Sequence, residues 1–247
     1  MKNEPIIAAN WKMYKTPKEG IHFYKNLKKK CGDVDNAKII LGLPFTGLNS
    51  FNVESPFYKA AQNCHWENSG AYTGEISISM IKECGAEYVI VGHSERRHIF
   101  GEKNIDINLK VTSALKNGIK PILCIGETIH DRKRNKTEVV LEEQLIKGLK
   151  NLKSIDNLII AYEPVWAIGT GLTANENQVE SAHLKIKEIL LGLYPKSQDI
   201  PLLYGGSVKP DNAKSLIQVS GVNGFLIGGA SLDVDLFSSI INDVTTL

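Results

Sequence analysis

The chain has 247 residues, 43% of them hydrophobic and 23% charged, with a formal net charge of +2. Such a composition argues against disorder, and the charge is too small for nucleic acid or a membrane surface to be the main partner. A chain of this length buries roughly three quarters of its unfolded surface, so it needs no disulfide staples. Its four cysteines are Cys31, Cys64, Cys84 and Cys124. None is spaced as a zinc or redox pair, and they read as buried free thiols of a reducing cytosol. The apolar run near the N-terminus, residues 5–9, is too short for a signal peptide, and no stretch reaches membrane-spanning length. A cytoplasmic location is expected.

Short apolar runs recur at 6–9, 39–41, 58–61, 88–91, 122–125, 158–161, 202–204 and 225–227. Most are continuous rather than alternating, as expected of strands buried on both faces of a parallel sheet. Helical periodicity lies between them. Lys25 to Lys30 read as the wet face and last turn of the first helix. A further helix runs from about Lys103, with Ile105, Leu109, Ala114 and Leu115 on one stripe, and stops at Gly118 before Pro121. The stretch His130 to Lys136 reads as an exposed loop. Thr173 and Glu176 read as a capping box that opens a helix with Val179, Ala182, Ile186, Ile189 and Leu190 on its apolar stripe. Eight strands alternating with helices predict an α/β fold: a (β/α)8 barrel of parallel strands inside a ring of helices, one domain over 1–247. An open doubly wound sheet is the competing arrangement.

Polar residues and glycines collect just after the strands. Asn10-Trp11-Lys12 follows the first, and His93-Ser94-Glu95-Arg96-Arg97 the fourth. Glu163 and Pro164 end the sixth, Gly205-Gly206-Ser207 the seventh, and Gly228-Gly229 the eighth. In parallel α/β folds every strand delivers its following loop to the same face, where ligands bind. Each feature alone has an ordinary explanation: a solvated lysine, a structural histidine, a surface carboxylate, a glycine turn. Their arrival on one face is what carries weight.

The chemistry follows from residue type. Glycine pairs let backbone N–H groups approach an anion closely, and Ser207 adds a donor. Lys12 brings a full positive charge, worth about 4 kcal/mol at 4 Å for an effective dielectric near 20. Glu163 is a candidate general base, and His93 a hydrogen-bond donor to a developing oxyanion. Ser94 and Glu95 read as the start of a helix opening at His93, and a helix N-terminus disfavours the imidazolium. A carboxylate, a neutral donor and a fixed cation suit proton abstraction beside a carbonyl. No nicotinamide fingerprint, Walker motif or metal cluster is present, so cofactor-free chemistry is expected. The segment 164–171 reads equally well as a closing loop and as a structural turn packing Trp166.

Five runs together resemble the triosephosphate isomerase family. They are Asn10-Trp11-Lys12-Met13, Val91 to Arg97, Ala161 to Gly171, Tyr204-Gly205-Gly206-Ser207-Val208, and Gly224 to Ala230. They stand in the family's order and span nearly the whole chain. The family is itself a standard case of carboxylate base, neutral imidazole and closing loop. The resemblance implies interconversion of dihydroxyacetone phosphate and D-glyceraldehyde 3-phosphate through an enediolate, in glycolysis and gluconeogenesis. It implies Glu163, His93 and Lys12 as catalytic residues and Asn10, Lys12, Gly169, Ser207, Gly228 and Gly229 as substrate-binding residues. Glu95 would support Lys12. It also implies a homodimer through the loop 62–79, with Thr73 reaching the neighbouring subunit's site. His65-Trp66 and Leu172 depart from the commoner family pattern. Two alternatives remain at this stage: another phosphate-binding barrel isomerase, and an inactive barrel kept as a binding protein.

Overall fold

A computed structural model describes residues 4–168 and 172–246. Its strands are β1 (Ile6–Asn10), β2 (Lys38–Leu43), β3 (Phe57–Ala61), β4 (Tyr88–Val91), β5 (Lys120–Ile125), β6 (Ile159–Tyr162), β7 (Leu202–Tyr204) and β8 (Gly224–Ile227). They pair in parallel in sequence order and close into a barrel, with Ile6 opposite both Lys38 and Gly224. The expected (β/α)8 barrel is therefore the observed one, and the open sheet is excluded. The helices are α1 (Pro17–Cys31), α2 (Phe45–Leu48), α3 (Ile78–Glu83), α4 (Ser94–His98), α5 (Asn104–Lys116), α6 (Ile129–Lys133), α7 (Thr137–Gly148), α8 (Glu176–Leu193), α9 (Pro210–Leu216) and α10 (Val234–Thr245).

Continuous apolar strands fill two cores by alternation. Ile6, Ala8, Ile40, Ala60, Ile90, Ile122, Cys124, Ile159, Ala161, Leu203 and Leu226 pack together inside the barrel. The intervening residues, such as Ile7, Ile39, Leu41, Val89, Leu123 and Ile160, pack with Leu27, Val111, Leu145, Ile186 and Ile240 from the helices. The period of two thus assigns each strand residue to the barrel interior or the helix layer.

Four local expectations are corrected. The helix after β6 begins two residues later than the Thr173–Glu176 pair. An overlapping box wins, in which Asn175 Oδ1 accepts from the Gln178 N–H at 2.9 Å and Gln178 Oε1 accepts from the Asn175 N–H at 3.0 Å. On α5 the buried stripe is Ile107, Val111 and Ala114, while Ile105 and Leu109 are exposed. Two parallel i, i+4 stripes exist there, and periodicity alone does not say which faces inward. His130 lies on a short helix rather than a loop, because Thr128 and Asp131 form a capping box. The thiols are all free, yet only Cys64 and Cys124 are buried, with Cys31 and Cys84 partly exposed.

Candidate active site

Alternation also positions the site. Ala8 and Ala161 point into the barrel, so Asn10 and Glu163, two residues further on, reach the inner mouth at the strands' C-terminal ends. Glu163 is 2% exposed. Room for it comes from Gly205, where a Cβ would stand 2.9 Å from Glu163 Cγ. The glycine after β7 therefore makes space for the carboxylate besides shaping a turn.

Both carboxylate oxygens are occupied. Oε1 lies 3.0 Å from His93 Nε2, and Oε2 accepts from the Ser94 N–H at 2.8 Å. Burial pushes the Glu163 pKa up. The His93 interaction, the Ser94 N–H and the Lys12 charge outweigh it and hold the group below its ordinary value, so it is a carboxylate at neutral pH.

His93 forms the N-cap of α4, and its Nδ1 accepts from the Glu95 N–H at 3.2 Å. Burial lowers the imidazole pKa, whereas the charge and hydrogen bond of Glu163, with Glu95, raise it above its ordinary value. The backbone N–H decides against a second proton, because it occupies the Nδ1 lone pair that would take one. The Glu95 carboxylate stands 3.5 Å from the same nitrogen, but its charge is committed to Lys12 at 2.6 Å. We therefore take His93 as neutral, with its proton on Nε2 facing Glu163.

Lys12 has a φ of 49°, in the left-handed region that costs a non-glycine residue about 1 kcal/mol or more. Asn10 Oδ1 steadies that turn by accepting from the Lys12 N–H at 3.0 Å. The ammonium emerges beside the β8 turn, where a Cβ on Gly228 would lie 3.3 Å from Lys12 Cε. One cavity of about 670 Å³ is lined by Asn10, Lys12, His93, Glu163, Ser207, Gly228 and Gly229 together. That size is ordinary for a small-molecule site. Glu95 does not line it and reaches it through Lys12. Thr73 lies on an exposed loop, and Gly169 falls outside the described residues.

A sequence model of the family described as triosephosphate isomerase matches residues 5–244. The chain belongs to the triosephosphate isomerase family. The triosephosphate isomerase of Fusobacterium nucleatum is 46% identical over 243 residues, which cover 96% of this chain and 97% of that one. That of Thermodesulfovibrio yellowstonii is 44% identical over 240 residues, covering 96% and 98%. The crystal structure of triosephosphate isomerase from Bartonella henselae matches with a TM-score of 0.89 at 37% identity, covering 97% and 98%.

Two features of this triosephosphate isomerase site were missed from sequence. Glu127 is fully buried beneath the segment that follows Glu163. It accepts from Trp166 Nε1 at 2.9 Å, from Arg132 Nη1 at 3.0 Å and from the Tyr162 hydroxyl at 3.1 Å. The Arg132 guanidinium also lies 4.7 Å over the Trp166 ring. Residues Val165–Ala167 form a 3-10 turn, so this end of the 164–171 segment is anchored through Trp166. The signal was available, since Glu127 follows β5 as Glu163 follows β6. The second is Cys124, buried against Glu163. Burial, then the Glu163 charge, push its thiol pKa well up, so it packs there as a neutral group.

Proposed function

We propose that Glu163 removes the proton from the carbon beside the triose phosphate carbonyl and returns it to the neighbouring carbon. The overall reaction is the aldose–ketose isomerisation of dihydroxyacetone phosphate and D-glyceraldehyde 3-phosphate, a step of glycolysis and gluconeogenesis. The observation that carries the residue roles is the buried pair of Glu163 carboxylate and His93 Nε2–H beside the Lys12 ammonium in one cavity.

The C–H bonding pair becomes the C=C bond of the enediolate, and the carbonyl π pair moves onto oxygen. Glu163 must first leave His93 and Ser94 to face the substrate. That departure frees the Nε2–H to donate to the developing oxyanion. It also removes the charge that raises the imidazole pKa, which keeps His93 neutral during the reaction. His93 gives its Nε2 proton to that oxygen and takes the hydroxyl proton of the other in exchange, so the carbon that lost its proton becomes the new carbonyl when its neighbour is protonated. Lys12 and Asn10 hold and polarise the substrate oxygens. Backbone N–H groups of Gly169, Ser207 and Gly229, with Gly228 beside them, hold the phosphate. The 164–171 segment closes over the enediolate, hinged where Trp166 meets Glu127.

The whole chain, 1–247, is read as one domain that works as a homodimer. Support for the dimer comes from exposed apolar side chains after four consecutive strands: Met13 and Tyr14, Phe45, Tyr72 and Met80, and Ile99 and Phe100. The loop 62–79 is internally packed: the His65 ring stacks on Trp66 at 4.2 Å and meets a tilted Tyr72 ring at 4.3 Å. That order would present Thr73 to the partner subunit's site. A cytoplasmic location accords with four free thiols. Among the described residues no helix is long and apolar enough to cross a membrane.

The test is a coupled assay with glyceraldehyde 3-phosphate, run beside sedimentation of the same sample. Turnover by a species of twice the chain mass is expected. No turnover by folded protein would end the isomerase reading, and an active monomer would end the dimer reading.

A further inference from the structure

Lys15 stands outside every role assigned so far, yet it is built into the fold with unusual care. Its φ is 66°, a left-handed backbone that disfavours a side-chain-bearing residue. Its ammonium is half-buried, 4.4 Å over the Phe23 ring and 5.5 Å over Trp11. Burial lowers its pKa, and Glu19 and Asp233 only partly offset that effect. Among the described residues it forms no ion pair within 4.0 Å. Its hydrogen bond goes instead to the carbonyl oxygen of Leu232, at 2.8 Å, across 217 positions of sequence.

Leu232 is the last residue of the 3-10 turn Gly229–Leu232, whose opening residues line the cavity. The turn is closed internally by Ser231, whose N–H and hydroxyl both donate to the Gly228 carbonyl, at 3.0 and 2.7 Å. Peptide dipoles in such a turn place partial positive charge at its N-terminal end and partial negative charge at its carbonyl end. An ammonium at the carbonyl end and an anion at the N–H end are therefore complementary. Lys15 also shares with Lys12 the loop that follows Asn10. One lysine of that loop packs against Gly228 at the near end of the turn, and the other holds Leu232 at the far end.

We infer that Lys15 is a positioning residue for the substrate phosphate, clamping the Gly229–Leu232 turn to the loop that carries Lys12. The inference rests on the reading that Gly228 and Gly229 hold the phosphate. Loss of the clamp loosens the amides that grip the part of the substrate that does not react, so it weakens binding rather than the chemical step.

The experiment measures steady-state kinetics with glyceraldehyde 3-phosphate and competitive inhibition by inorganic phosphate. Lys15→Met should raise both KM and the phosphate inhibition constant about threefold to tenfold, with kcat within about twofold. Lys15→Arg, which keeps a cationic donor, should restore both. Lys15→Gly removes the side chain while relieving the left-handed backbone, so it should keep the wild-type Tm and still bind phosphate weakly. Unchanged phosphate inhibition in folded Lys15→Met and Lys15→Gly would overturn the inference while leaving the phosphate site itself standing. A wild-type enzyme that inorganic phosphate does not inhibit competitively would overturn both.

Discussion

Three histidines are buried among the described residues, and the fates of two of them, His93 and His183, differ. His93 sits at the strand mouth between Glu163 and the N–H of Glu95. His183 lies on α8, fully buried, its Nδ1 donating to the Gly221 carbonyl at 3.1 Å and its ring edge-on to Tyr162 at 5.9 Å. Its Nε2 has no hydrogen-bond partner among the described residues. Burial lowers the His183 pKa to about 4; the Gly221 carbonyl opposes this and the Lys187 charge adds to it. The comparison teaches that burial alone makes an imidazole neutral and inert. It becomes useful when its protonated nitrogen faces a group that can move away and leave the donor to a substrate. At His93 that group is Glu163. At His183 it is a fixed backbone carbonyl.

The strongest way to break the comparison is to remove the movable partner. Glu163→Gln should lower turnover by at least about 10²-fold while a phosphate-bearing inhibitor still binds, because the shape stays and the base goes. Near-normal rates would assign the base elsewhere. The same substitution should lower the His93 pKa toward that of His183, since it removes the charge that raises it; a proton NMR titration reads this directly.

The next effect belongs to His183. Its folded pKa is below its unfolded value, so between pH 6.5 and about 4 the unfolded chain binds more protons and stability falls with falling pH. Between pH 7 and pH 5 this one group should cost about 2 kcal/mol of unfolding free energy. Urea unfolding at the two pH values checks it. His183→Gln, which keeps a donor for Gly221, should lose that share of the pH dependence. An identical slope in both proteins would show that His183 is not held neutral.

The smallest effect concerns Lys12, whose partly exposed charge is shared with Glu95. Lys12→Met should weaken binding of a phosphate-bearing inhibitor about tenfold, roughly 1.4 kcal/mol. Unchanged affinity in calorimetry would place Lys12 outside the anion's reach.

Much of the site was legible because chain position has physical meaning in a parallel barrel. Strand ends share one face, so the sequence alone gathers Asn10, Lys12, His93, Glu163, Ser207 and the Gly228-Gly229 pair. The same rule applied to β5 would have found Glu127. Arg132 stayed hidden because it lies on a short helix that its charged surroundings disguised as a loop. The buried stripe of α5 was misplaced because two stripes compete there, and Lys110 is buried with them only because Asn63 and Glu102 receive its ammonium. His183 gave no signal, since a histidine on an amphipathic helix reads the same whether it faces water or the barrel.

The most direct test of the central claim is the protonation state of the two rings, read by 15N NMR on histidine-labelled enzyme at pH 7. The account predicts two neutral imidazoles of opposite tautomer. His93 carries its proton on Nε2, toward Glu163, and His183 carries its own on Nδ1, toward Gly221. Two protonated nitrogens on His93 would contradict it, because an imidazolium there would leave the Glu95 N–H facing a proton and give the enediolate a different acid.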